Sequence, residues 1–270
     1  YWFLAKRRAK QAVAEAGLCS AAHPPVGFAK LYPAYTPSPC QALAEAIGQD
    51  SSAGAQLVII EDLTGSGKTE AALSIASRWI DAGWCHGLYF ALPTMATSNA
   101  MHDRIATLAR SWFSADQPDG VVLAHGQARH RRQWRAEELD LDTGEAASTA
   151  AAAWLLESAR RALLATVGVG TIDQANLAVL PVRHQAVRLA GLSGKVLIID
   201  EVHAYDVYVS TLLTTLLQAH LRLGGRAILL SATLPQRTRS ALVSASLEAI
   251  TGFPQRWQAE SSAYPLLTQV

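Results

Sequence analysis

A chain of 270 residues, half of them hydrophobic and 17% charged, excludes an intrinsically disordered protein and leaves room for one large α/β domain or two small ones. Its formal net charge of +1 excludes binding to nucleic acid through bulk charge, so any basic surface must be local. Cys19, Cys40 and Cys85 form no C-x-x-C pair, which argues against a disulfide framework or structural zinc and for reduced thiols in the cytoplasm.

The opening YWFLAKRRAK is apolar and then basic, the wrong order for a secretory signal. No apolar run approaches the ~20 residues of a membrane span, so no membrane partner is expected. The chain begins without Met, which suggests a start inside a longer polypeptide. Ala5 to Ala16 read as a helix and the Pro-rich stretch His23–Pro39 as an ordered linker outside the core. Residues 1–40 are therefore assigned to a helix and linker following a preceding domain, 41–250 to the main domain, and 251–270 to a connection toward a further one.

From Gln41 onward, short apolar runs alternate with helical periodicity. The runs are Leu57–Ile60, Leu88–Leu92, Val121–Ala124, Leu163–Val167, Val196–Ile199 and Ala227–Leu230; the helical segments include Thr69–Asp81, Ser98–Phe113, Val207–Leu223 and Arg237–Leu247. Near-continuous apolar strands separated by helices predict an α/β fold, a mostly parallel sheet with helices on both faces. Ligands of such sheets sit beyond the carboxyl ends of the strands. Gly126 to Ala153 breaks the rhythm and reads as an insertion or loop.

Straight after the first strand comes Glu61-Asp62-Leu63-Thr64-Gly65-Ser66-Gly67-Lys68-Thr69, and then a helix. That context is the phosphate-binding loop of a nucleotide site. Gly65 and Gly67 let the backbone N–H groups of Thr64–Thr69 curl toward phosphate oxygens, at a helix N-terminus that favours anions. Lys68 supplies a point charge to the β- and γ-phosphates of ATP, and the Thr69 hydroxyl is placed for Mg²⁺. The generic loop wants glycine at position 62, and Asp62 is an unusual departure.

The strand Val196–Ile199 runs into Asp200-Glu201-Val202-His203. Asp200 is the expected Mg²⁺ holder and catalytic acidic partner, and Glu201 the group that polarises an attacking water. The next strand ends in Ser231-Ala232-Thr233. Asp-Glu-x-His followed by Ser-Ala-Thr resembles superfamily 2 helicases, in which Ser231, Thr233 and His203 would couple nucleotide state to domain closure. An ordinary satisfied histidine is the other reading of His203.

Thr64–Leu73 (TGSGKTEAAL), Phe90–Met101 (FALPTMATSNAM), Gly170–Asp206 and Ser231–Pro235 (SATLP) together resemble the helicase–nuclease of type I CRISPR interference systems, over roughly Gln41 to Pro235. The resemblance implies a RecA-like P-loop domain, the first of two. It further implies ATP- and Mg²⁺-driven 3′-to-5′ translocation on single-stranded DNA, and recruitment by a crRNA-guided surveillance complex. Carried over by position, Gln41 would pair with adenine, with an aromatic among Phe28, Tyr32 and Tyr35 stacking on it; a plain helix-start glutamine is the other reading. Pro93, Thr94 and Thr97, and Thr171 with Asp173 and Gln174, fall on loops that track DNA phosphates in related helicases, though each threonine also reads as a helix cap. Arg129, Arg131, Arg132 and Arg135, with Trp134, offer a basic–aromatic cluster.

The family's nuclease constellation is not found in this sequence, and too few residues follow Thr233 for a second RecA-like domain with its arginine finger. The remaining domains of the same polypeptide are therefore expected partners, and these 270 residues alone are expected to hydrolyse ATP poorly. Two alternatives are a superfamily 2 helicase of DNA repair or RNA metabolism, and a nucleotide-dependent binding module whose loop Asp62 has spoiled.

Overall fold

A computed structural model describes residues 2–4, 7, 24, 26–50, 52–109, 112, 121–124, 163–258 and 263–270. The helix expected over Ala5–Ala16, apart from Arg7, and the segment Gly126–Ala153 with its arginine cluster lie outside the described residues.

In chain order the elements are α1 (Phe28–Leu31), α2 (Pro39–Asp50), β1 (Gln56–Glu61), α3 (Lys68–Asp81), β2 (Gly87–Leu92), α4 (Met95–Ala109), β3 (Val121–Ala124) and β4 (Val167–Thr171). There follow α5 (Ile172–Asn176), α6 (Gln185–Leu192), β5 (Lys195–Ile199), a 3₁₀ turn (Val202–Ala204), α7 (Val207–Arg222), β6 (Arg226–Ser231), α8 (Gln236–Thr251) and β7 (Leu266–Gln269). Among the described residues the strands form one seven-stranded sheet in the order β3-β4-β2-β5-β6-β1-β7. All neighbours are parallel except β7, which runs antiparallel to β1.

The sheet is covered on both faces, which explains why its strands read as unbroken apolar runs. In β1, Val58 and Ile60 enter one core with α3, while Leu57 and Ile59 enter the other with α7 and α8. All four are fully buried. Gly87 opens β2 where a Cβ would lie 1.9 Å from the Thr166 carbonyl oxygen, so only glycine permits that approach. Among the described residues no helix is long and apolar enough to cross a membrane.

Three expectations need correction. The fourth strand is Val167–Thr171 rather than Leu163–Val167. Gly168 and Gly170 read as turn residues, but pairing with β2 and β3 on either side holds them extended. The carbonyls of Leu163 and Ala165 instead accept from the buried Lys195 ammonium, the former at 2.5 Å. The Pro-rich stretch is not all linker, because Phe28 and Leu31 are buried, 4% and 8% exposed. The segment 251–270 is likewise not wholly a connection, since its last residues cover the β1 edge as β7.

One carboxylate ties α1 and α2 to α3. Glu45 Oε1 accepts from Arg78 Nε at 3.0 Å and also from Arg78 Nη2, while Oε2 accepts from Ser74 Oγ at 2.5 Å and Phe28 N at 3.1 Å. Burial works against this charge, but the hydrogen bonds from Arg78, Ser74 and Phe28 and the Arg78 charge outweigh it. They hold the carboxyl below its ordinary 4.5, at about 2. A depressed carboxyl pKa gives stability that is present above the unfolded value and lost as pH falls through the folded one. The expected contribution is about 2–3 kcal/mol at pH 7. Urea unfolding of Glu45→Gln against the parent should show that gap at pH 7 and its closure toward pH 2. A gap independent of pH would contradict the assignment.

Candidate nucleotide site and adjoining strand-end loops

The loop from Asp62 to Gly67 joins the fully buried β1 to α3. Gly65 and Gly67 have φ of +83° and +88°, conformations that L side chains rarely adopt. The Lys68 ammonium donates to the carbonyls of Asp62 at 2.7 Å and Leu63 at 2.8 Å. The lysine therefore sits on the curled loop itself, ahead of the α3 N-terminus. Thr69 follows it, half-buried, while Thr64 is exposed.

Gln41 packs directly on this loop. Ser38 N donates to Gln41 Oε1 at 2.8 Å, Gln41 N to Ser38 Oγ at 3.4 Å, and Gln41 Nε2 to the Gly67 carbonyl at 3.3 Å. The first two bonds make a capping box at the start of α2. The φ of Gly67 requires glycine, and a Cβ there would lie 2.1 Å from Gln41 Nε2 and push that amide off the loop. Ser38 Oγ donates to the Ser66 carbonyl at 3.1 Å. In this arrangement the Gln41 Nε2 end braces the loop directly, while its Oε1 end holds Ser38, which braces the loop at Ser66. Of the three aromatics nearby, Phe28 is buried against Tyr32 with ring centroids 5.2 Å apart. Tyr32 is half-buried, and Tyr35 stands 73% exposed.

Two strands along, β5 delivers Asp200 and Glu201 to the same carboxyl edge of the sheet. Asp200 N donates to the Ala91 carbonyl at 2.9 Å, and Tyr205 OH to the Asp200 carbonyl at 2.8 Å. Burial raises the Asp200 carboxyl to about 6. The Glu201 charge adds to the rise, and the Glu201 N–H, Lys68 and His203 oppose it. Glu201 occupies the left-handed region at φ +54°, a cost on the order of 1 kcal/mol for a non-glycine residue. Asp200 Oδ1 accepts its N–H at 2.8 Å, and its carbonyl accepts from Ala204 N at 2.8 Å, so the turn is held.

Between β5 and β1 lies β6, and its Ser231-Ala232-Thr233 end bridges the two halves. His203 Nδ1 accepts from Ala232 N at 3.4 Å and meets Ser231 Oγ at 3.2 Å, while Nε2 lies 3.3 Å from Glu201 Oε2. The ring thus stands between the β6 end, on its Nδ1 side, and the Glu201 carboxylate, on its Nε2 side. Ser231 Oγ also reaches the Thr233 carbonyl at 3.1 Å, and Asp62 N donates to the Ser231 carbonyl at 3.3 Å.

Sequence reading missed a pair that locks this junction. Glu61, the last residue of β1, is fully buried. Its Oε2 lies 2.5 Å from Arg239 Nε; its Oε1 accepts from Arg239 Nη2 at 2.8 Å and from Leu234 N at 3.0 Å. The strand preceding the phosphate-binding loop is thus bonded to the segment that follows Ser-Ala-Thr.

The loops after β2 and β4 lie on the other half of the same edge. Thr94 and Thr97 are exposed, and Thr94 caps α4: its Oγ1 accepts from Thr97 N at 3.2 Å and lies 2.9 Å from Thr97 Oγ1. Pro93 is half-buried. Thr171 ends β4 and is only 6% exposed, so its side chain faces the interior, while its carbonyl accepts from Tyr89 OH at 3.3 Å. Asp173 is exposed, and Gln174 Oε1 accepts from Arg188 at 3.2 Å. Among the described residues no group of three or more His, Cys, Asp or Glu could hold a metal ion.

No family model matches the chain. It is similar to the CRISPR-associated endonuclease/helicase Cas3 of Escherichia coli (strain K12), 38% identical over 236 residues that cover 86% of this chain and 25% of that protein. Among solved structures, the crystal structure of T. fusca Cas3-ATP matches 98% of this chain and 29% of its own, at 36% identity and a TM-score of 0.82. A chain of a CRISPR RNA-guided surveillance complex, pre-nicking, matches 98% of this chain and 24% of its own, at 31% identity and a TM-score of 0.57.

Proposed function

This chain is homologous to the Cas3 helicase–nucleases over most of its length and spans about a quarter of theirs, and on that premise we propose that it is their first RecA-like, ATP-hydrolysing motor domain. In this reading the ATP-binding core extends from α1 to β7, whose residues pack on or pair with the central elements. The motor moves 3′ to 5′ on single-stranded DNA delivered by a crRNA-guided surveillance complex, in the cytoplasm. The observation that carries the reading is the convergence, on one sheet edge, of the glycine loop after β1, Asp200-Glu201 after β5 and the Ser231 end of β6 between them.

Each group has a task set by its surroundings. The N–H groups of Thr64–Thr69 and the Lys68 ammonium receive the phosphates, Lys68 exchanging loop carbonyls for phosphate oxygens. Gln41 holds the loop's curl, and Tyr35 offers its ring to the adenine. Asp200 and Thr69 would hold Mg²⁺, which would supply positive charge against the phosphates. The donors suit such a cation: a carboxylate and a hydroxyl, both hard oxygen ligands, follow β5 and begin α3 at the same sheet edge. Glu201 orients and deprotonates the attacking water, with the His203 ring beside it. Through Ser231 and Ala232, His203 passes the state of that site to β6 and the segment behind it. Pro93, Thr94, Thr97, Asp173 and Gln174 form the phosphate-tracking face for DNA, with Thr171 supporting it from within.

Lys68→Ala tests the reading at its base. Calorimetric titration of the full-length protein with ATP should show binding nearly abolished, because the charge that offsets the β/γ-phosphates is gone. Unchanged affinity would mean that the loop does not cradle phosphate.

A further inference from the structure

Asp62 stands where the generic loop has glycine, and its surroundings give it a task. Asp62 Oδ1 accepts from Leu63 N at 2.8 Å, which turns the chain out of β1. The fully buried Cys40 thiol, adjoining Gln41 on α2, lies within reach of its charge. The Asp62 backbone carbonyl is one of the two that hold the Lys68 ammonium. The Asp62 side chain is half-buried, so its charge is only partly screened.

Resting on the nucleotide reading above, we propose that Asp62 sets nucleotide affinity: its anchored carboxylate is a fixed negative charge in the phosphate-binding loop that opposes the incoming phosphates and favours Lys68 in its position on the loop carbonyls. The Cys40 thiol responds to the same charge. Burial and then the Asp62 carboxylate push it up to about 12, with Lys68 pulling the other way, so all three groups share one local field. A carboxylate held by the Leu63 N–H stays with the loop when phosphate arrives. Its repulsion is therefore felt in the bound state, and it grows with the number of phosphates. The residue is a positioning and affinity-setting group that takes no part in bond making.

The test is nucleotide titration of the full-length protein and its Asp62→Asn variant with ATP, ADP and adenosine, at low and high salt. Asparagine keeps the acceptor for Leu63 N–H and removes the charge. ATP should bind about three- to tenfold more tightly, ADP less so, and adenosine without change, with the gain shrinking as salt screens it. Asp62→Ala, checked for folding by thermal melting, should also favour ATP over adenosine. Cys40→Ser should leave affinity within about twofold, since the charge remains. Unchanged or weaker ATP binding by both Asp62 variants would overturn the proposal, as would an equal gain in Cys40→Ser, which would make packing the cause. Lys68→Ala in the same titrations separates the two levels. If it leaves ATP affinity intact, the nucleotide reading itself fails; if it removes binding while Asp62→Asn changes nothing, only the role of Asp62 fails.

Discussion

Glu201→Gln should leave ATP binding nearly intact while turnover falls by ~10²-fold or more. Glutamine matches glutamate in size, and its amide can still lie beside His203 Nε2, which is 3.3 Å from Glu201 Oε2. The left-handed turn at residue 201 survives too, because it rests on backbone bonds to Asp200 Oδ1 and Ala204 N. The lost element is the carboxylate that accepts a proton from water. Calorimetry for binding and a steady-state phosphate-release assay for turnover separate these effects. Equal losses in both would show that Glu201 shapes the site rather than acting on water.

Arg239→Met should destabilise the protein by about 3–5 kcal/mol, the cost of leaving one partner of a buried ion pair uncompensated. Glu61 has no exposed surface and Arg239 is 4% exposed, so solvent cannot take over the lost charge. Glu61 also accepts the Leu234 N–H, so truncating it to an apolar residue would orphan that donor. Gln at 61 keeps the acceptor, and the double variant Arg239→Met with Glu61→Gln should recover most of the loss. Denaturant unfolding of the parent, both single variants and the double closes the cycle. Additive losses would mean that the two side chains are not coupled. The pair joins β1, and hence the phosphate-binding loop, to the segment after Ser231, so Arg239→Met should also weaken ATP binding in the folded fraction.

The legible parts of this molecule are those where local pattern and tertiary context agree. The strand–loop–helix around Gly65, Gly67 and Lys68, and the acidic strand end at Asp200-Glu201, can be read directly because five of the six expected strands stand where their apolar runs lie. The fourth strand escapes that reading because Gly168 and Gly170 are held extended by neighbours distant in sequence. β7 is short and finds its place only through the β1 edge. The brace at Gln41 does leave a local trace: Ser38-Pro39-Cys40-Gln41 is a capping-box spacing. Glu61 and Arg239 leave none, since a charged residue at a strand end reads as solvated until the fold closes over it. Likewise, nothing local distinguishes Thr171, turned inward, from the exposed Thr94.

The most direct measurement is steady-state ATP hydrolysis by the full-length protein with single-stranded DNA, single-stranded RNA or neither. A Cas3-type motor domain predicts Mg²⁺-dependent hydrolysis that single-stranded DNA of any sequence stimulates, RNA does not, and Lys68→Ala removes. Hydrolysis stimulated by RNA alone, or ATP bound with no turnover under any condition, would contradict it.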